Sequence, residues 1–252
     1  MNSSYKRKIF ITQIYKIFKK KQNFFRTLMY HSVFNDKTEN KNDKLWHLSL
    51  SLFKSHIDFI KKNKDKKIYR IETLLTDCPL NGVSITFDDG YLDTYEIASP
   101  YLIENNIPFT IFVITDFIKN EKKGFMNENM LKELSKNNLV TIGSHSMSHH
   151  KLTELDNESI YNELNYSKLY LEDLLGKEVT TLSYPHGKFN NRIIKKAHQA
   201  GYKLAFSSKF NSNKKNENKF SLCRSEIWNT DTIEILNQKL IGNWDWLKYR
   251  LK

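Results

Sequence analysis

Two cysteines in 252 residues, Cys78 and Cys223, are too few for a disulfide framework, and they lack the short paired spacing of a zinc knuckle. Both read as ordinary buried thiols. No run approaches the ~18 consecutive apolar residues that a membrane-spanning helix needs. No internal repeat is visible. No glycine-rich loop follows any apolar run, so an open nucleotide-binding sheet has no support. Nor does any motif interleave aromatic with basic residues; a nucleic-acid partner would rest on net charge alone and ranks last.

That charge is +12, from 40 Lys and Arg against 28 Asp and Glu. Such an excess suits a nucleic acid, an anionic membrane surface or an acidic substrate. It equally suits a Lys-rich composition with no partner, because most lysines are scattered singly, and this bland reading is preferred everywhere except at the N-terminus. There, KRKIFITQIYKIFKKK (Lys6 to Lys21) has the flanking basic clusters of a signal peptide. However, Thr12, Gln13 and Lys16 interrupt the apolar stretch, and no small-residue cleavage site follows. At helical spacing Phe10, Ile14, Ile17 and Phe18 share one face, with lysines around them. Residues 6–21 are thus expected either to rest on anionic lipid as an interfacial helix or to pack on the protein's own surface. Residues 1–24 are read as this basic segment and 25–252 as the folded domain. A cytoplasmic, membrane-associated location is expected, with export left open should the N-terminus serve as an uncleaved anchor.

Aromatic residues at 13% and charged residues at 27% describe a globular chain, long enough for one α/β barrel or two small domains. Asp36 to Lys44 and Asn211 to Lys219 are polar stretches that read as exposed loops. Strand-like runs alternate with helical patterns around them. Thr27 to Tyr30, Val83 to Phe87, Phe109 to Ile114, Val140 to Gly143, Thr180 to Tyr184 and Leu204 to Ser207 read as strands. Helices are expected around Leu52 to Ile60, over Tyr91 to Leu102, at Met130 to Leu134, over Ile160 to Leu175 before Gly176, at Ile193 to Ala200 and at Ile233 to Leu240. This alternation predicts a mostly parallel sheet with crossover helices, and a barrel fits it better than an open sheet.

Titratable residues gather just after the predicted strands, where a barrel builds its active site. The first group is Thr86-Phe87-Asp88-Asp89-Gly90. Adjacent carboxylates repel when both are ionised, and a divalent cation relieves this by binding one and leaving the other free to take a proton. An Asp-Gly hairpin turn would be the ordinary alternative, but a helix rather than a partner strand follows. The second group is His145-Ser146-Met147-Ser148-His149. An i, i+4 pair of histidines on a helical turn presents two imidazoles to one ion, and with a carboxylate it leaves positions open on that ion. His150 reads as a bystander. The third group, Ser183-Tyr184-Pro185-His186-Gly187, reads as a tight rim loop that could aim a backbone N–H at an oxyanion. His31 could serve as an acid and Arg224 as the partner of a carboxylate, although spacing alone supports neither.

TFDDG, HSMSH and SYPHG, in that order, resemble the polysaccharide deacetylases of carbohydrate esterase family 4, the NodB-homology family. The resemblance runs from about Leu28 to Ile227. It implies a distorted (β/α) barrel of about seven strands and a His-His-Asp metal site, usually zinc. By position, Asp89, His145 and His149 become the metal ligands. Asp88 becomes the general base, and Tyr184, next to Pro185, lends its backbone N–H to the oxyanion. The chain departs from the commonest pattern in having Ser183 where the third motif usually has Arg, and in lacking the late Leu-x-His motif that supplies the general acid. LMYHSV (Leu28 to Val33) instead precedes TFDDG, which resembles the permuted branch that includes poly-N-acetylglucosamine deacetylases. On that resemblance His31 is the general acid and Arg224 replaces the missing Arg. The expected activity is removal of an N-acyl group, most simply acetyl, from an amino sugar in a polysaccharide or lipid-linked saccharide. The alternative is a barrel that binds sugar or acts as a scaffold without catalysis, against which the retained Asp88, Asp89, His145 and His149 argue.

Overall fold

The computed structural model describes residues 3–18, 24–36 and 44–249. Residues 37–43 of the polar loop, residues 19–21 of the basic segment and the side chains of Ile17 and Phe18 lie outside the described residues.

Helix α1 (Ser3–Phe18) leads into β1 (Arg26–Tyr30), and a small parallel pair, β2 (Ser32–Phe34) and β3 (His47–Ser49), follows before α2 (Leu50–Lys62). Next come β4 (Lys67–Ile68), α3 (Thr73–Thr76), β5 (Gly82–Phe87), α4 (Ser99–Glu104), β6 (Phe109–Val113), α5 (Thr115–Lys119), α6 (Glu128–Ser135) and β7 (Val140–Ser144). The chain ends through α7 (Asn157–Leu175), β8 (Thr181–Ser183), α8 (Asn191–Gln199), β9 (Leu204–Phe206), β10 (Ser225–Glu226) and α9 (Ile233–Leu240). A single turn of π-helix, Thr94–Ala98, stands in front of α4.

Seven parallel strands run in the order β10-β1-β5-β6-β7-β8-β9, with β4 added on β5. This is the expected parallel α/β barrel in distorted form, for no ladder joins β9 to β10 among the described residues. The chain between them spans the gap: Phe206 bridges Leu222, and the Arg224 N–H donates to the Lys209 carbonyl. β1, β5 and β6 are buried at every position, as continuous apolar runs in a sheet covered on both faces must be. Each fully buried Leu or Ile there, such as Leu28, Ile85 and Ile111, contributes about 1.5–3 kcal/mol.

Local chemistry sets where the helices begin and end. The Asp156 carboxylate accepts from the Glu158 and Ser159 N–H groups to start α7, and Gly176 ends it at φ 62°. Asn127, Asn190 and Thr232 cap α6, α8 and α9 in the same way.

α1 packs on the protein's own surface. Ile9, Ile11 and Tyr15 face a cluster of Trp228, Trp244 and Trp246, the Trp246 indole N–H donates to Thr12 Oγ1 at 2.9 Å, and Lys8 lies 4.1 Å over the Trp228 ring. Phe10 and Ile14 remain exposed. The same cluster anchors the C-terminal turn, where Arg26 makes a bidentate, buried ion pair with Asp245 at 2.6 and 2.8 Å. No helix among the described residues is long and apolar enough to cross a membrane. Of the two cysteines, Cys223 is buried and Cys78 only half-buried.

Candidate active site

Parallel register brings the chemistry to one rim. Tyr30 pairs with Phe87, Phe87 with Ile111, Val113 with Ser144, and Ser144 with Leu182. The residues just beyond these ends, His31, Asp88 and His145, therefore meet at one side of the sheet. With Asp89, His149 and Arg224 they line a cavity of about 350 Å³.

Asp88 and Asp89 face different partners because the backbone turns sharply between them and the following helix, with Asp89 at φ 73° and Gly90 at φ 78°. The left-handed conformation is uncommon for a residue with a side chain, although Asp tolerates it better than most. Asp88 points inward and is 3% exposed. Arg224 clamps it with two hydrogen bonds, Nη1 to Oδ1 at 2.6 Å and Nη2 to Oδ2 at 2.7 Å. Ser183 Oγ accepts from Arg224 Nη2 at 2.8 Å and lies 3.1 Å from Asp88 Oδ2. Arg224 is held in turn by the Ser207 carbonyl at 3.0 Å. Burial alone would push the Asp88 carboxyl up, but the Arg224 guanidinium and neighbouring His145 outweigh it and hold the carboxyl well below the usual carboxylate range. Asp88 is thus ionised at neutral pH.

The two histidines were expected on a helical turn. They come instead from an irregular loop in which Ser146 (φ 66°) and His149 (φ 65°) adopt left-handed backbone, and this bends the chain so that both imidazoles face Asp89. His145 Nε2 lies 3.4 Å and His149 Nε2 3.7 Å from Asp89 Oδ1. The three donor atoms fall within 4.8 Å of one another. Ligands about 2.1 Å from a tetrahedral zinc sit roughly 3.4 Å apart, so the donor set fits such an ion with little movement. His145 Nδ1 lies 2.8 Å from the Ser183 carbonyl. A carbonyl can only accept, so Nδ1 carries the proton and Nε2 presents a lone pair to the cluster. Burial, His145 and His186 push the His149 imidazole down to about 4, leaving it neutral and free to ligate at neutral pH.

Glu163, on α7, holds this loop in place and was missed by reading motifs. Its buried carboxylate accepts from the Met147 and Ser148 N–H groups at 3.1 and 3.0 Å and from the Ser148 hydroxyl. A signal for it exists in the sequence: Glu163 falls between Ile160 and Leu164 on the apolar face of an amphipathic helix, where a charge needs a reason. Glu163→Ala is expected to weaken the cluster's affinity for a divalent ion about 10–100-fold, read by titration against a competing chelator. Unchanged affinity would show that the loop keeps its shape unaided.

The expectation for Tyr184 and Pro185 is corrected by the structure. The Tyr184 N–H donates to the Phe206 carbonyl at 2.9 Å as part of the sheet, so it is not free to meet an oxyanion. Both residues are buried, and neither lines the cavity. His186 (φ 57°) and Gly187 reach the cavity from that loop instead. A Cβ on Gly187 would lie 1.9 Å from Ser208 Oγ, so only glycine allows the loop to meet Ser208 there.

His31 also lines the cavity, its ring 6.1 Å from that of Trp46. Among the described residues nothing hydrogen-bonds its buried Nδ1. Asp93, further along the TFDDG segment, fixes the neighbouring backbone by accepting from Ser32 Oγ at 2.5 Å and the Val33 N–H at 3.3 Å. Trp46, Tyr91 and Glu226, with Met29 and Ser208, also line the cavity and had no motif to announce them. His150 is exposed and lies outside the cluster, with Nδ1 2.7 Å from Ser148 Oγ.

Residues 78–205 match the family described as polysaccharide deacetylase. Over 244 residues the chain is 30% identical to the poly-beta-1,6-N-acetyl-D-glucosamine N-deacetylase of Staphylococcus aureus (strain MRSA252), covering 90% of this chain and 80% of that one. This chain is a polysaccharide deacetylase family member. It is also 30% identical over 145 residues to YxkH of Bacillus subtilis (strain 168), a match spanning 58% of this chain and 51% of that protein. The fold is that of the Streptococcus pyogenes deacetylase PplD in complex with acetate, with TM-score 0.78, 22% identity and coverage of 87% of this chain and 99% of that one. It is equally that of IcaB from Ammonifex degensii, with TM-score 0.76, 19% identity and coverage of 89% and 98%.

Proposed function

We propose that this family member is a zinc-dependent N-deacetylase acting on an N-acetylated amino sugar, with β-1,6-linked poly-N-acetylglucosamine as the leading substrate. The observation that carries this reading is the pairing of a clamped carboxylate with a ligand cluster: Asp88 held by Arg224 and Ser183, beside Asp89, His145 and His149. A carboxylate held that low accepts a proton only from a water far more acidic than bulk. This favours a cation in the adjacent cluster over a bare sugar-binding site.

When bound, a divalent ion there supplies Lewis acidity to the amide oxygen and to water. The residues do the rest. Asp88, ionised and fixed in orientation, takes the proton of the attacking water as its oxygen bonds to the acyl carbon. Ser183 and Arg224 keep both Asp88 oxygens in place, and the Ser183 carbonyl fixes the His145 tautomer. His31, which lines the same cavity, gives a proton to the amine nitrogen as the C–N bond breaks, leaving acetate and a free amino sugar. Without that proton the amine is a poor leaving group.

A lipid-linked saccharide at a membrane surface is the second reading, favoured by exposed Phe10 and Ile14 beside exposed Lys6 and Arg7 on α1. Acetate release should be followed in parallel from soluble poly-N-acetylglucosamine and from lipid-linked saccharide in anionic vesicles. Stoichiometric acetate and free amine are expected from at least one, and a vesicle advantage lost in Phe10→Asp identifies the membrane route. Saccharide binding without acetate from either would favour the inactive barrel.

A further inference from the structure

The catalytic cavity has a side arm whose charge differs from its own. Three carboxylates, Asp88, Asp89 and Glu226, line the cavity, of which only Asp88 is offset by a side-chain guanidinium, Arg224. The adjoining space of about 470 Å³, which shares His186, Gly187 and Ser208 with it, is lined by Lys188, Lys209 and Lys248 and, among the described residues, by no carboxylate. Two aromatic rings, Phe189 and Tyr249, complete its walls, and Lys248 Nζ stands 5.1 Å over the Tyr249 ring.

We propose that this arm binds an anionic group, phosphate or carboxylate, carried by the sugar next to the one that loses its acyl group, a group that unmodified poly-N-acetylglucosamine lacks and that a lipid-linked or otherwise anionic saccharide supplies. The proposal rests on the deacetylase reading for its claim that the ligand is a substrate. The charge argument is independent of it. The three lysines come from separate parts of the chain: Lys188 follows the SYPHG loop, Lys209 follows β9, and Lys248 lies on the C-terminal turn anchored by Arg26 and Asp245. Scattered lysines elsewhere on this Lys-rich surface need no partner, but here three converge on one concave space with no acid among its described lining residues. Ammonium groups around a concavity concentrate field there and attract anionic oxygens. Phe189 and Tyr249 offer flat apolar surface to the ring faces of a sugar. Because the arm meets the cavity at Ser208 and Gly187, a neighbouring sugar reaches it without leaving the reacting one.

The test uses the full chain loaded with zinc and three N-acetylglucosamine disaccharides: the neutral one, one phosphorylated on the second sugar, and one whose second sugar is a glucuronate. Calorimetry is expected to show a charged disaccharide binding about tenfold tighter than the neutral one at low salt, with the advantage shrinking near 0.5 M salt. Which charged compound gains identifies phosphate or carboxylate as the source. The K188Q/K209Q/K248Q variant, altered at two exposed lysines and the half-buried Lys248, should fold with Tm near that of the wild type and bind all three compounds alike. Equal affinities in the wild-type protein would overturn the proposal, as would a preference that survives the triple replacement. Acetate release separates the two readings. Charge-selective binding with no acetate leaves the arm standing and removes the deacetylase. Acetate released with equal kcat/KM from charged and neutral compounds does the reverse.

Discussion

Asp88→Asn is expected to lower kcat for acetate release by about 10²–10⁴-fold with KM little changed. Asn keeps the shape of Asp but cannot take a proton from water, so substrate still binds while the chemical step fails. The substitution leaves a fully buried guanidinium at Arg224 without its counter-charge. Four acceptors remain around it, the Ser207 carbonyl, Ser183 Oγ, Thr86 Oγ1 and the Asn side-chain oxygen, so the variant should stay folded at reduced Tm. Retention of near-wild-type kcat would remove Asp88 from the role of base.

Arg224→Met should have the larger effect on stability. It leaves the Asp88 carboxylate buried and unpaired, which typically costs about 3–5 kcal/mol. For a chain of this size that corresponds to a fall in Tm on the order of 10 °C. The combined Asp88→Asn, Arg224→Met variant removes both charges and should recover much of this loss while staying inactive. Additive losses in the double variant would show that the two side chains do not act as a unit. The pH dependence has a definite sign. The folded-state carboxyl lies below its unfolded value, so the pair's stabilisation is present in full above the unfolded carboxylate range, about pH 4. It declines as pH falls through the folded value. Arg224→Met should lose that acid-side dependence.

Those two residues lie 136 positions apart in the chain, and this separation shows where the sequence stopped being legible. Asp88, Asp89, His145 and His149 could be found because each follows an apolar run whose end falls on the rim of a parallel sheet. The same alternation marked six of the seven parallel strands, and only the family resemblance implied about seven; neither signalled the two-residue β10 or the open seam between β9 and β10, which a short, polar return through Asn211 to Lys219 leaves without a ladder. Spacing i, i+4 suggested a helical turn at the histidines. Positive φ at Ser146 and His149 produced the same convergence by another route, because Glu163 ties down the loop that a helix would have tied down by itself. Tyr184 failed as an oxyanion donor for a reason that no motif carries: whether a backbone N–H is free depends on the strand beside it, and β9 occupies this one. Trp46, Tyr91 and Glu226 reach the cavity through tertiary packing alone.

The most direct measurement is acetate release from poly-N-acetylglucosamine while zinc is titrated into chelator-treated protein. The account predicts no release at the start, a rise with added zinc and a break at about one ion per chain, the number that a cluster of one carboxylate and two histidines holds. The same titration on His145→Ala should stay near the baseline. Full acetate release with no metal present, or an undiminished break in His145→Ala, would contradict it.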